Sequence, residues 1–236
     1  MILKTMRTIR DFETFNKTVK DKKCIIVGPA DYLSTSNHGS FIDKYDVIIR
    51  LNNSYPLCDF HNLGSRTDIL FHTGGIFTDV KTLNNDGIRW YVSKRKAEAP
   101  NVTKLIKEIE QDGTGQIKVL PIELKFLENL RIQLNKTEPN MSTIAIDYLL
   151  KTDLKVLYVC GCDFYGTGYN KAYTITPGWV WDDSQNKLVR EKSMTFTMPK
   201  NGHFKDIQLS YLKKLQQKDN RLYFDDVLAK LIKEAK

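Results

Sequence analysis

No run of about twenty apolar residues occurs in this chain, so no helix is expected to span a membrane. The stretch Met1–Arg10 also lacks the apolar centre of a secretory signal. Both features point to a cytoplasmic protein, or to a trimmed luminal domain. Cysteine is scarce, with four residues (Cys24, Cys58, Cys160 and Cys162) among 236. Cys160-Gly161-Cys162 is spaced too tightly for a usual zinc knuckle. Cys24 and Cys160 lie in apolar runs and read as buried free thiols, in keeping with a reducing compartment. A Walker loop, Gly-x-Gly-x-x-Gly and Gly-x-Ser-x-Gly are all missing, which argues against P-loop, classical dinucleotide and nucleophile-elbow chemistry. No strict Asp-x-Asp occurs; Asp182-Asp183 and Asp225-Asp226 read as caps or turns. Internal repeats and low-complexity tracts are absent too.

What is present fits a globular enzyme. Hydrophobic residues make up 41% of the chain, enough for a sizeable core, and charged residues an ordinary 27%. The net charge of +8 could serve nucleic acid, an acidic membrane surface or a small anionic substrate. The motifs of a nucleic-acid binder, with spaced aromatics and arginines, do not occur. A peripheral membrane contact through the basic surface and an anionic substrate stay open.

Short apolar runs alternate with helix-like stretches. Cys24–Val27, Val47–Arg50, Ile69–Phe71, Trp90–Val92, Ile117–Leu120, Val156–Cys160 and Leu222–Phe224 read as strands. Val102–Gln111, Ile122–Leu134, Ser142–Lys151 and Phe204–Gln217 have helical periodicity, the last with Ile207, Tyr211, Leu212 and Leu215 as its buried stripe. The alternation predicts one α/β domain over residues 1–236, with a mostly parallel central sheet flanked by helices. Ligands bind such sheets at the carboxyl ends of the strands. Residues 174–202 break the pattern: they are polar and punctuated by Pro and Gly, yet hold Trp179, Trp181, Phe196 and Met198. A lid is the preferred reading, with a β-hairpin excursion as the alternative.

Several strand ends and helix starts carry groups suited to a nucleotide. Gly28 ends the first strand and permits close approach of a ligand. Asn52 ends the second and offers both a donor and an acceptor. Ser142 and Thr143 open a helix, where hydroxyls and free N–H groups suit a phosphate. Gly161 ends the Val156–Cys160 strand, and Tyr165 and Tyr169 follow it among glycines. His203 follows Asn201-Gly202 and precedes a helix. The positive end of that helix favours a neutral imidazole, which can accept a proton.

Taken in order, these segments resemble the sialyltransferases. Lys23–Asn52, KCIIVGPADYLSTSNHGSFIDKYDVIIRLN, is similar to the large sialyl motif of the eukaryotic enzymes (glycosyltransferase family 29), and Gly64-Ser65-Arg66-Thr67 to the segment after it. Ser142–Gly161 resembles the small motif, and His203 the histidine of the very small motif. Gly161–Tyr165, and Gly202-His203 followed by Asp206-Ile207, are similar to elements of the bacterial family 42 enzymes. The resemblance runs from about residue 23 to 224. It implies a GT-A-like, Rossmann-like fold and metal-independent, inverting transfer of sialic acid, or a related keto-acid sugar such as Kdo, from a CMP donor to a glycan hydroxyl. It further implies His203 as general base, and Asn52, Ser142 and Thr143 as donor contacts. Tyr165, with Tyr169 or Tyr173, would bind the phosphate. Because that donor carries one phosphate, neither a cofactor nor a metal pair is expected.

The chain departs from the pattern at three places. Pro29 stands where both groups commonly have asparagine, which puts one nucleotide contact in question. Thr152 occupies the position of the second cysteine of a family disulfide whose first is Cys24. Gln208 replaces a glutamate five residues after the histidine. Two other readings remain. A nucleotide-binding protein that has lost transfer would have no need of His203. A Rossmann-like methyltransferase would need a glycine-rich first loop and an acidic residue ending strand two, and neither is present.

Overall fold

The computed structural model describes residues 10–52, 54, 59–74, 80–164, 166–167, 179–182, 187–190 and 204–235, with backbone alone at 82, 179–182 and 187–190. The chain opens with α1 (Phe12–Val19), β1 (Lys23–Val27), a 3-10 turn (Asp31–Thr35), α2 (Gly39–Ile42), β2 (Val47–Leu51), α3 (Phe60–Leu63) and β3 (Ile69–His72). It continues through α4 (Val80–Asn85), β4 (Trp90–Ser93), α5 (Pro100–Asp112), β5 (Lys118–Pro121), α6 (Leu124–Gln133), α7 (Met141–Leu150) and β6 (Val156–Cys160). The last elements are β7 (Trp179–Asp182), β8 (Lys187–Arg190), α8 (Lys205–Lys218), β9 (Leu222–Phe224) and α9 (Asp226–Glu234).

Among the described residues the main sheet has seven strands in the order β5-β4-β3-β2-β1-β6-β9. Every pairing in it is parallel. All the expected strands are present within a residue or two, and the expected α/β, Rossmann-like architecture is what forms. The reason is burial on both faces: β2, β3 and β4 contain buried residues only, as strands covered by helices on two sides require. Side chains alternate between faces. Cys24, Ile26, Ile49 and Leu51 join the cluster packed by α1, α6, α7, α8 and α9. Ile25, Val27 and Ile48 pack against Leu33, Ile42 and Leu63. In α5, Val102, Leu105, Ile106 and Ile109 make one stripe, and the helix stops at Gly113, with φ of 69°.

One feature differs from expectation. The buried residues of α8 are Gln208, Leu209, Tyr211 and Leu212, while Ile207 and Leu215 are only partly buried. The stripe is rotated because Gln208 turns toward α7. Within 174–202, the backbone of β7 and β8 pairs antiparallel, from Trp179 with Arg190 to Asp182 with Lys187. The rest of that segment lies outside the described residues. No helix among the described residues is long and apolar enough to cross a membrane. Cys24, Cys160 and Cys162 are buried free thiols.

An arginine inside the sheet fixes the segment after the first motif. Arg50 is fully buried. It donates to the Thr67 hydroxyl at 3.0 Å and to the carbonyls of Leu63 and Arg66 at 2.6 and 3.2 Å. Charge-assisted bonds of this kind repay the desolvation of a buried cation.

The chain leaves β1 toward β2 on one side and returns to β6 on the other, so the strand order reverses between β1 and β6. There, Gly28 and Gly161 meet backbone to backbone. A Cβ on Gly28 would lie 2.2 Å from the Gly161 carbonyl oxygen and 2.5 Å from Cys162 Sγ. Gly28→Ala is therefore expected to lower stability by about 1–3 kcal/mol. Equilibrium urea unfolding measures this, and an unchanged midpoint would refute the close contact.

Candidate functional site

Just beyond that reversal, the carboxyl ends of β1, β2 and β6 and the start of α7 surround a small cleft, partly open to solvent. Its walls are Pro29 and Ala30, Leu51 and Asn52, Asn140–Ser142, and Gly161–Phe164. This is where ligands sit on open parallel sheets. Of the residues expected from sequence, Asn52, Ser142 and Gly161 line the cleft, and Gly28 lies beneath it against Gly161. His203, Tyr165, Tyr169 and Tyr173 lie outside the described residues.

Asn52 has a positive φ of 51°, a conformation that asparagine tolerates better than most residues. Its Oδ1 accepts the Thr73 N–H at 3.0 Å. One of the two lone pairs of that oxygen is thus taken up by the end of β3, and the Nδ2 amide is a donor it can offer a ligand.

The start of α7 is capped by Asn140, whose Oδ1 accepts the Thr143 N–H at 2.8 Å and the Ser142 hydroxyl at 2.9 Å. The cap leaves the first N–H groups, those of Met141 and Ser142, free of helical partners, and both residues line the cleft. These groups and the helix dipole suit an anion. Thr143 does not line the cleft: it is fully buried, and its hydroxyl donates to Gln208 Oε1 at 2.7 Å. Its role narrows to fixing the helix start. Gln208, itself fully buried, also accepts the Asn140 N–H at 3.0 Å. This neutral amide stands behind the helix N-terminus.

Gly161 has φ of 71°, and its N–H donates to Tyr32 Oη at 2.6 Å and to Asp225 Oδ2 at 3.2 Å. The Tyr32 hydroxyl donates to the same Asp225 oxygen. Burial, with the Asp225 carboxylate beside it, pushes the Tyr32 phenol far above its usual range. The other Asp225 oxygen caps α9 through the Leu228 N–H at 2.9 Å. Burial likewise pushes the Cys162 thiol well above its ordinary value, so it is held as a neutral thiol in the cleft wall. His72, fully buried at the end of β3, is pushed down to about 4 by burial and stays a neutral imidazole.

Two residues before the α7 cap, Glu138 receives Arg131 Nε at 2.6 Å, Arg131 Nη2 at 3.1 Å, and the Lys94 ammonium. The triad ties the loop after α6 to the end of β4. Tyr32, Glu138, Gln208 and Asp225 were not among the expected site residues. The one sequence signal was the offset of Gln208, five residues after His203.

The family model described as glycosyltransferase family 29 (sialyltransferase) matches residues 1–146. Among similar proteins, the type 2 lactosamine alpha-2,3-sialyltransferase of Mus musculus is 39% identical over 69 residues, 29% of this chain and 21% of that protein. The CMP-N-acetylneuraminate-beta-galactosamide-alpha-2,3-sialyltransferase 4 of Mus musculus is 39% identical over 71 residues, again 29% and 21%. The matched stretch thus spans about a fifth of these relatives' length. The solved structure of a mammalian sialyltransferase in complex with Gal-beta-1-3GalNAc-ortho-nitrophenol superposes with a TM-score of 0.56 at 16% identity. That likeness covers 94% of this chain and 77% of the other, and it is a likeness of fold.

The Glu138 triad makes an acid-dependent contribution to stability. Burial opposes the charged carboxylate, but the hydrogen bonds and charges of Arg131 and Lys94 outweigh it and hold Glu138 at about 2. A depressed folded pKa means the contribution is present above the ordinary value of 4.5 and is lost as pH falls toward 2. The urea midpoint of the native protein is expected to fall between pH 6 and pH 3 by more than that of Glu138→Gln. Parallel decline of the two proteins would rule out this role.

Proposed function

This chain belongs to glycosyltransferase family 29, the sialyltransferases, and on that premise we propose that it transfers sialic acid, or a related keto-acid sugar, from a CMP donor to a glycan hydroxyl. One observation carries the reading. The two glycine strand ends, Asn52 and the open N-terminus of α7 converge on a single cleft where the strand order reverses.

In this reading the donor phosphate lies at the Met141 and Ser142 N–H groups. Tyr165, with Tyr169 or Tyr173, adds hydroxyl donors. The acceptor oxygen attacks the anomeric carbon as the bond to the phosphate oxygen breaks, with inversion. The electron pair leaves with CMP, and the acceptor's proton passes to the imidazole of His203. Helix N–H groups and hydroxyls stabilise the charge that grows on the phosphate. A single phosphate can be held this way without a metal ion. Residues 174–202 are assigned to the acceptor side as a lid.

A second reading, a nucleotide binder without transfer, draws support from Pro29. It lines the cleft but brings neither a backbone N–H nor a carboxamide.

CMP is expected to stabilise the protein without added magnesium or manganese, and UDP and GDP are not. At about 100 times its dissociation constant a ligand adds about 2.7 kcal/mol, readily seen as a melting shift. Equal shifts with UDP, or a requirement for the metal, would contradict the proposal.

His203→Ala is expected to cut turnover by about 10²–10⁴-fold with CMP affinity nearly unchanged. The acid limb of the native pH–rate curve should vanish in the variant. If His203 were instead a helix cap, alanine would lower stability by about 0.5–2 kcal/mol and leave turnover per folded molecule intact. A native protein that binds CMP but shows no turnover with any glycan acceptor would favour the second reading.

A further inference from the structure

A groove of about 430 Å³ runs between the end of α6 and one face of α8, and among the described residues it shares no wall with the nucleotide cleft. Helical spacing gives it two rows along α8. Ile207, Tyr211 and Leu215, four residues apart, form an apolar floor, and Asp206, Ser210 and Lys214 form the rim beside it. The floor is open because Gln208 and Leu212 take the inward positions of the helix, which leaves Ile207 and Leu215 only partly buried. The Tyr211 hydroxyl donates to the Asp147 carboxylate, so its ring is what remains for the floor. The opposite wall carries the carboxamides of Gln133 and Asn135. There α6 ends, and the chain turns away through positive φ at Asn135 and Lys136, 51° and 64°.

We propose that this groove is a saccharide subsite, holding the part of the acceptor glycan that lies beyond the sugar that is modified. The proposal rests on the reading of the chain as a glycan-directed transferase and specifies where that transferase would read its acceptor. The chemistry of the walls carries it. An acidic partner would be attracted by Lys214 and Lys218 but repelled by Asp206 at the other end. A purely apolar partner would strip water from two carboxamides and three charged groups and replace it with nothing. A sugar ring presents C–H groups on its faces and hydroxyls around its edge. The C–H faces suit Ile207, Tyr211 and Leu215. The hydroxyls both donate and accept, and the rim answers with an accepting carboxylate, a donating ammonium and carboxamides that do both. The size agrees, since pockets for small ligands hold about 300–1,000 Å³. The position agrees as well. The groove begins in the first turn of α8, three residues after His203 in the chain, and extends about 18 Å along the helix to Lys218. A glycan whose attacking hydroxyl reaches His203 can therefore lay its next sugars along α8.

The test is equilibrium binding to a glycan array that pairs neutral disaccharides with the tetrasaccharides extending each of them at the reducing end. The native protein is expected to bind at least one tetrasaccharide about tenfold more tightly than its disaccharide, the gain from one or two added hydrogen bonds. Gln133→Ala combined with Lys214→Ala, at two exposed positions, should lose that preference and keep the affinity for the disaccharide. Ser210→Trp, which fills the groove from its rim, should lose it too. CMP affinity should be unchanged in both variants, because none of these residues lines the nucleotide cleft. Equal native affinity for every pair would overturn the groove assignment and leave the transferase reading intact. A length preference undiminished in either variant would overturn it as well. A native protein that bound no glycan on the array would overturn the proposal together with the glycan-directed reading it rests on.

Discussion

Gly28 and Gly161 pack against each other without side chains, and the cleft exists because they do. A Cβ on either would fall within 2.5 Å of the other's carbonyl oxygen. The contact is reinforced by a ladder that extends beyond the strands: the Gly28 N–H donates to the Cys160 carbonyl at 2.8 Å and the Ala30 N–H to the Gly161 carbonyl at 3.0 Å. Two strand ends thus stay parallel past the last residues of β1 and β6 while leaving the space above them open. Tyr32 and Asp225 anchor the Gly161 peptide from behind. A floor built from backbone is rigid, and a pocket of fixed shape avoids ordering costs when a ligand arrives.

Charge is distributed around this floor with some economy. The helix start brings N–H groups and a positive dipole end to one wall. The residue behind it, Gln208, is neutral, although it accepts two hydrogen bonds through one oxygen. A carboxylate there would accept the same bonds but would add a buried negative charge behind the proposed phosphate position. In a low-dielectric interior that charge would oppose an anionic ligand more strongly than it would in water. The amide keeps the brace between α7 and α8 and omits the repulsion. The one carboxylate of the cleft wall among the described residues, Asp163, belongs to the β6 side.

The sheet was legible in the sequence because its strands are buried on both faces and so appear as uninterrupted β-branched and aromatic runs. Gly28, Asn52, Ser142 and Gly161 were legible for a related reason: parallel topology sends every strand end to one edge, where turn residues stand out. The braces were not legible. Tyr32 and Asp225 are separated by 193 residues, and Thr143 and Gln208 by 65, so no local spacing links them. Thr143 was read as a donor contact from the resemblance and from its hydroxyl at a helix start. A helix rotates about 100° per residue, so only one of two adjacent hydroxyls can face the cleft. The buried stripe of α8 was misread for a similar reason, since an apolar pattern does not register a glutamine buried by two hydrogen bonds.

The match to the family model ends at residue 146, yet one side of the cleft wall, Gly161–Phe164, lies beyond it. Strand register carries the architecture across that boundary. β1 and β6 pair from Lys23 with Val156 to Val27 with Cys160, which sets Gly28 opposite Gly161. A slip of one residue would turn every β6 side chain to the other face and set Cys160 or Cys162 against Gly28 in place of glycine. Leu157 and Val159 would leave the core they share with α7 and α8. That side of the cleft is therefore held by the same burial that forms the sheet. Gly161 has to be glycine because Gly28 faces it and because its own φ is 71°.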